Sequence, residues 1–246
     1  MPDAAAAADE TSGPTVQEQV DADAKLDVDA AFCISLRERE DRRAELQTEL
    51  EPLGLDIEFF LADRDSGNPE RGCYTSHQAC AALALERGCR RVLMLEDDAR
   101  LEQHDARQIA AINGFLSWRN PELFYLGGIV GRMWRVPWPY VARCRLAATH
   151  AYILSEKGCS KLCSITYDDK PIDSMYGKRF KAYGAYPLLL EQQPETWMPS
   201  DIAQRRDDQP ARQAVAKDES FWAANRQRQH ESVRKNIDRT LLLRWL

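Results

Sequence analysis

Residues 90–101 read RRVLMLEDDARL. Val92 to Leu95 form an apolar run suited to a buried strand, and Glu96, Asp97 and Asp98 follow without a break. Neighbouring carboxylates repel one another, so packing gives no reason to gather three of them where a strand ends. Either water solvates them at a loop, or something positive sits among them. Glu96 and Asp98 lie two residues apart; if the strand geometry persists they project to one side while Asp97 faces the other. Two oxygen-bearing side chains on one side form half of a site for a hard divalent cation. Such an ion would cancel the repulsion and could hold a diphosphate.

The flanking sequence sets this strand in an α/β pattern. Upstream, AAFCISL from Ala30 reads as a short buried strand. A helical stretch follows, with Leu46, Leu50 and Leu53 at helical spacing and a Pro-Leu-Gly stop. DIEFFL gives a second strand and ADRDSGNPERG a loop. In CYTSHQACAALALERGC, Thr75 with Gln78 has the form of a capping box that opens a helix, and Gly88 suits its C-terminal cap. Downstream, a helix over about His104 to Trp118 and a strand in ELFYLGG complete the order β-α-β-α-β-α-β. That order predicts an α/β fold, a mainly parallel central sheet with helices on both faces. In open sheets of this kind ligands bind beyond the carboxyl ends of the strands, where the three carboxylates stand.

Length and composition set the limits. The 246 residues suffice for one sizeable α/β domain, and 44% hydrophobic residues supply a core for it. A net charge of −6 argues against nonspecific nucleic-acid binding as the main activity. No stretch has the run of apolar residues needed to span a bilayer. The seven cysteines are scattered and form no CxxC pair, which points to reduced, packing cysteines and a cytoplasmic setting. The start of the chain has neither the basic region nor the apolar core of a secretory signal. Residues 1–28, rich in Ala, Asp and Glu, read as a disordered acidic arm. Residues 29–202 form the expected domain, and 203–246 a polar, helical C-terminal extension ending in LLLRWL.

Three kinds of acidic strand end compete. A Walker B strand needs a GxxxxGK[ST] loop, which is absent. The acidic pocket of response-regulator receivers closes the first strand of its domain, whereas here other elements come first. The third is the acidic metal motif of nucleotide-sugar glycosyltransferases. The ordered series FCISLREREDRR, GCYTSHQACAAL, VLMLEDDARL, THAYILSEKGCSKL, PIDSMYG and a late SDI resembles glycosyltransferase family 25, over about residues 31 to 202. That family includes bacterial lipooligosaccharide galactosyltransferases and collagen-modifying galactosyltransferases. The first block departs from the family pattern, with Ser35 where Asn is usual.

The resemblance implies a GT-A type nucleotide-sugar transferase fold, a UDP-sugar donor and a manganese or other divalent ion. Glu96, Asp97 and Asp98 would be the DxD-like motif, with Asp98 a direct metal ligand and Glu96 either a ligand or a contact to the donor ribose. Leu36 and Arg37, after the first strand, fall where the family places nucleotide contacts; Arg42 reads as an exposed helix charge. Ser76 and His77 would present a helix N-terminus to the donor. Asp173 is the candidate base that takes the acceptor proton in an inverting transfer, with metal ligation or acceptor binding as its alternative. Trp134 and Trp138, in a Gly- and Arg-containing segment that reads as a lid or a plain loop, would stack on an acceptor sugar. His150 and Asp201 are further acceptor-side candidates, while Tyr152 reads as core. Galactose is the donor sugar the resemblance favours. The acceptor would be a glycan, a lipid-linked saccharide or a hydroxylated peptide, with peripheral membrane contact in the lipid-linked case. The competing reading is a catalytically weak relative that binds a glycan or nucleotide.

Overall fold

The computed structural model describes residues 25–103, 105–197 and 217–244. RVLMLE is strand β3 (Arg91–Glu96), inside an eight-stranded sheet. The other members are β1 (Ala30–Leu36), β2 (Ile57–Ala62), β5 (Leu123–Tyr125), β6 (Ile129–Arg135), β7 (Val141–Ala147), β8 (Ala151–Ser155) and β9 (Ala182–Ala185). Their order is β2-β1-β3-β8-β5-β9-β7-β6. Pairings β1–β2, β1–β3 and β5–β9 are parallel. Those of β8 with β3 and β5, and of β7 with β6 and β9, are antiparallel. The sheet is therefore mixed, with β7 and β8 running against the other six strands, and the expected α/β class holds. A small second sheet joins β4 (Ala99–Leu101) to β10 (Leu190–Gln192).

Both faces of the main sheet are covered. Val92 and Met94 of β3 join Phe32, Tyr152 and the Cys80–Ala81–Ala84 side of α2 (Pro69–Glu86) in one core. Leu93 and Leu95 join Cys33, Leu46 of α1 (Glu40–Glu49) and Ile109, Ile112 and Phe115 of α3 (Ala106–Arg119) in the other. A strand buried on both faces has no polar side to show, which is why β3 is apolar at four successive positions instead of alternating.

Helix α2 starts two turns before the expected cap. Its N-cap is Asn68, whose side chain accepts from the Arg71 N–H, and Pro69 opens the first turn. Thr75 is interior and its hydroxyl donates back to the Arg71 and Gly72 carbonyls. The amide of Gln78 donates to the carbonyls of Leu162 and Ile165. Ser76 and His77 thus lie mid-helix, and the expectation that they present free N–H groups at a helix start is corrected: the Asn-Pro signal sat inside a stretch read as loop. Gly88, at φ +70°, does follow the helix end, and Ser155 caps α4 (Glu156–Cys163) by accepting from the Gly158 N–H.

The segment from Gly127 to Arg145 is not a lid. It forms the β6–β7 hairpin, and β6 is the sheet edge. The C-terminal extension covers that edge with α6 (Glu219–Lys235) and α7 (Ile237–Leu241). The Asn225 side chain accepts from the Val130 N–H and donates to the Gly128 carbonyl, and the Ser232 hydroxyl accepts from the Met133 N–H. An edge strand's free backbone groups are thereby met by side chains of a helix. Trp222 of α6 is fully buried. At the other end of the chain Leu26 is buried in the core, and Asp27 pairs with Arg91, so docking begins before residue 29. No helix among the described residues is long and apolar enough to cross a membrane.

Candidate functional site

A cleft of about 300 Å³ opens at the carboxyl ends of β1, β2 and β3. Ile34, Leu36 and Ala62 form an apolar wall; Ser76, His77 and Cys73 of α2 face it; Glu96, Asp97 and Asp98 form its floor. The far side is Ala148, Thr149 and the first turn of α5 (Ile172–Arg179), which carries Asp173. The antiparallel course of β8 explains this convergence. Leu95 pairs with Ala151 and the Glu96 N–H donates to the His150 carbonyl, so the residues just before β8 lie beside the last residue of β3.

Each of the three carboxylates has its own surroundings. The Thr149 hydroxyl donates to Glu96 Oε1 at 2.5 Å, and His77 Nε2 stands 3.5 Å from the same oxygen. Burial would raise the Glu96 pKa, but His77 and Thr149 outweigh it and lower it to about 2. Asp97 turns away to Arg42 at 3.0 Å, with both side chains under a tenth exposed. Burial raises the Asp97 pKa against the pull of Arg42. Asp98 Oδ2 accepts from the Gln192 amide, which the β4–β10 pairing places alongside, while Oδ1 is buried with no hydrogen-bond partner. Burial, and then repulsion by Glu96, pushes the Asp98 pKa up to about 7. Lys217, in the cleft wall, donates to the side-chain amide oxygen Oε1 of Gln192 and partly offsets this rise.

The cleft is strongly acidic. Asp63, Asp65, Glu70 and Asp173 join the three floor carboxylates, against Arg42, Arg64 and Lys217. An anionic ligand would meet net repulsion here unless a cation came with it. The orphaned Asp98 oxygen beside Glu96 provides hard oxygen donors for such an ion, so the residues present fit a divalent metal. Across the cleft, Asp173 Oδ2 accepts from the Ala148 N–H at 3.2 Å. Consecutive residues, Ala148 and Thr149, therefore hold Asp173 on one side and Glu96 on the other.

Several expected residues meet here and others do not. Leu36, Ser76, His77, Glu96, Asp97, Asp98 and Asp173 all line the cleft. Arg37 does not line it; mostly exposed, it pairs with Asp63 of the cleft lining from outside. Arg42, read as an exposed helix charge, is instead buried against Asp97. Trp134 and Trp138 do not line it, which corrects their assignment to acceptor stacking. Trp134 is buried under Arg239, and Trp138 stacks on Trp118 while its indole N–H donates to the Ala111 carbonyl. His150 is also corrected: it is fully buried, packs edge-on against Trp222, and burial lowers its pKa to about 4. Tyr152 is core, as read. Asp201 lies outside the described residues. Thr149, Gln192 and Lys217 were not anticipated. Gln192 and Lys217 reach the site through pairing of distant segments and carry no local signal; Thr149, directly before the expected strand, could have been found from its place at the strand's entry.

No family model matches the sequence. Among curated proteins, a glycosyltransferase 25 family member of Drosophila pseudoobscura pseudoobscura is 25% identical over 209 residues. The match covers 70% of this chain and 32% of that protein, so the chain spans about a third of the length of the relative. The chain is thus an α/β protein similar to a glycosyltransferase. The particular resemblance, to family 25, is the one its ordered motifs carry. Solved structures with some likeness include A197 from STIV, at 9% identity, 67% of this chain, 93% of the other and a TM-score of 0.44. A glycosyltransferase involved in the glycosylation of the major capsid of PBCV-1 matches at 8% identity, 73% of this chain, 98% of the other and a TM-score of 0.41. Neither of these distant likenesses bears on what this chain acts on.

Proposed function

We propose that the chain is a divalent-cation-dependent, inverting hexosyltransferase that uses a UDP-sugar, galactose by preference. The acceptor would be a glycan, a lipooligosaccharide or a hydroxylated peptide. The observation that carries this reading is the placing of Asp98 and Glu96 on the floor of an acidic cleft with Asp173 opposite, tied together through Ala148 and Thr149.

The residues divide the work. Ile34, Leu36 and Ala62 offer an apolar wall for a nucleobase at the ends of β1 and β2. Asp98 and Glu96 would hold the cation, which when bound supplies charge stabilisation to a departing diphosphate. Asp97, tied to Arg42, fixes the course of the chain between those two ligands. Asp173 would accept the proton of the acceptor hydroxyl as its oxygen attacks the anomeric carbon from the face opposite the leaving group. Its hydrogen bond from the Ala148 N–H holds one oxygen and leaves the other for that task.

UDP release from UDP-galactose with Mn²⁺, together with calorimetric UDP-galactose binding, tests the reading. Asp173→Asn should lower turnover by about 10²- to 10⁴-fold and leave donor binding within a few-fold of wild type. Asp98→Ala should abolish metal-dependent donor binding. Donor binding that is indifferent to metal and to Asp98→Ala would overturn the proposal, as would full turnover by Asp173→Asn.

A further inference from the structure

The sequence presents Cys73 as one more packing thiol, yet it faces the cleft. Cys73 and His77 stand four residues apart on α2, so they share one helix face. Glu96 points at that face from the end of β3. Ligand atoms of the three side chains lie within 4.8 Å of one another. His77 is fully buried, and its Nε2, 3.5 Å from Glu96 Oε1, has no hydrogen-bond partner. A buried ring nitrogen left without a partner is costly and calls for an explanation.

The other ring nitrogen is held. His77 Nδ1 is 2.7 Å from the Tyr152 hydroxyl, and that hydroxyl is 2.9 Å from the hydroxyl of Tyr176. Histidines that bind metals generally use one nitrogen for the ion while the other is fixed by such an outer partner. In the tautomer that an ion at Nε2 would select, Nδ1–H donates to the Tyr152 hydroxyl and the Nε2 lone pair is free for the ion. Around a tetrahedral ion with bonds of about 2.0–2.3 Å the ligand atoms stand roughly 3.3–3.8 Å apart, a separation that the His77–Glu96 pair already has and that the thiol reaches from within 4.8 Å.

We propose that Cys73, His77 and Glu96 form a binding site for a borderline-soft divalent cation of the Zn²⁺ or Co²⁺ kind, open at a fourth position to the cleft. This site is separate in chemistry from the oxygen-only pair Asp98 and Glu96. A sulfur and an imidazole favour zinc-like ions, whereas Mg²⁺ and Mn²⁺ prefer oxygen. Binding would release the thiol proton, so that Cys73 ligates as thiolate and the site's net charge rises by one less than the ion supplies. Glu96 is common to both sites, and the proposal does not depend on glycosyl transfer.

Cobalt titration of the whole chain tests it. Co²⁺ should give the near-ultraviolet thiolate-to-cobalt charge-transfer band and the intense visible bands of a four-coordinate ion. Cys73→Ser should remove the charge-transfer band and weaken Zn²⁺ binding by more than the roughly 10- to 100-fold lost when a supporting residue of a metal site is removed. Cys163→Ser, at the exposed cysteine, should leave both unchanged. A circular-dichroism spectrum matching wild type keeps a lost band from being a folding defect. No charge-transfer band in the wild-type protein, or a band that survives Cys73→Ser, would overturn the proposal. Neither result would touch the Mn²⁺-dependent donor binding assigned to Asp98.

Discussion

Replacing Asp98 with Asn should make the metal-free protein more stable while destroying the function proposed for the cleft. The Asp98 pKa is raised from 3.8 to about 7 by burial and by Glu96. Between those two values the folded protein holds a proton that the unfolded chain has lost, so stability falls as pH rises through that window. Above about pH 7 the whole cost is present; below 3.8 none of it is. A rise of this size corresponds to about 4 kcal/mol at most. Asp98 is partly open to the cleft, and solvent screening brings the expected figure nearer to about 2 kcal/mol. Asn keeps an acceptor for the Gln192 amide and carries no charge. For a domain of this size, 2 kcal/mol moves Tm by roughly 4–8 °C. Thermal unfolding in EDTA at pH 8 and at pH 4.5 should show the gain at the higher pH and little or none at the lower. Adding Mn²⁺ at pH 8 should stabilise the wild type and leave Asp98→Asn unmoved. An Asn variant that is less stable than wild type at pH 8, or equally favoured at both pH values, would show that Asp98 is not a buried charge held at a cost.

Arg42→Ala removes one half of the buried pair with Asp97 and should cost about 3–5 kcal/mol in urea unfolding, because a charge is left without its partner; replacing both residues by apolar ones should cost much less. Gly127→Ala would put a Cβ 2.6 Å from the Leu190 carbonyl oxygen and closer still to His150. It should lower stability by about 1–3 kcal/mol or more through overpacking, and an unchanged urea midpoint would refute the close approach. Trp138→Ala should lower stability through its lost stack on Trp118 and leave KM for both donor and acceptor within about twofold, a result that restoring an acceptor-stacking role would require to be reversed.

The central fold was legible because β3 is apolar at four successive positions, as a strand covered on both faces is, and because helical and strand patterns alternate around it. The three carboxylates and Asp173 were legible as chemistry. Polarity at the end of a buried strand has no packing explanation, and the motif series gave Asp173 its place. The helix start was misread because Thr75 and Gln78 have cap-like spacing but spend their polar atoms on backbone carbonyls inside and beside the helix. Trp134, Trp138 and His150 were misread for a related reason. An aromatic ring or an imidazole suits a sugar site and a core equally well, and only burial separates the two. Arg42 looked like any exposed helix charge until Asp97, 55 positions away in sequence, closed over it.

What the sequence could not display is the part of the site made by strand direction. An all-parallel continuation after β3 would place the entrance to the next strand at the opposite edge of the sheet, far from Glu96. Because β8 runs antiparallel beside β3, its entry residues Ala148 and Thr149 arrive at the carboxyl edge and can reach both Glu96 and Asp173. The second, two-stranded sheet repeats the device: pairing β10 with β4 sets Gln192 beside Asp98, and Lys217 follows it there. Each acidic side chain on the cleft floor is thus oriented by a residue from later in the chain than itself, or by Arg42 from before it. The motif supplies the charges early, and the fold becomes able to hold them only when its last strands are in place.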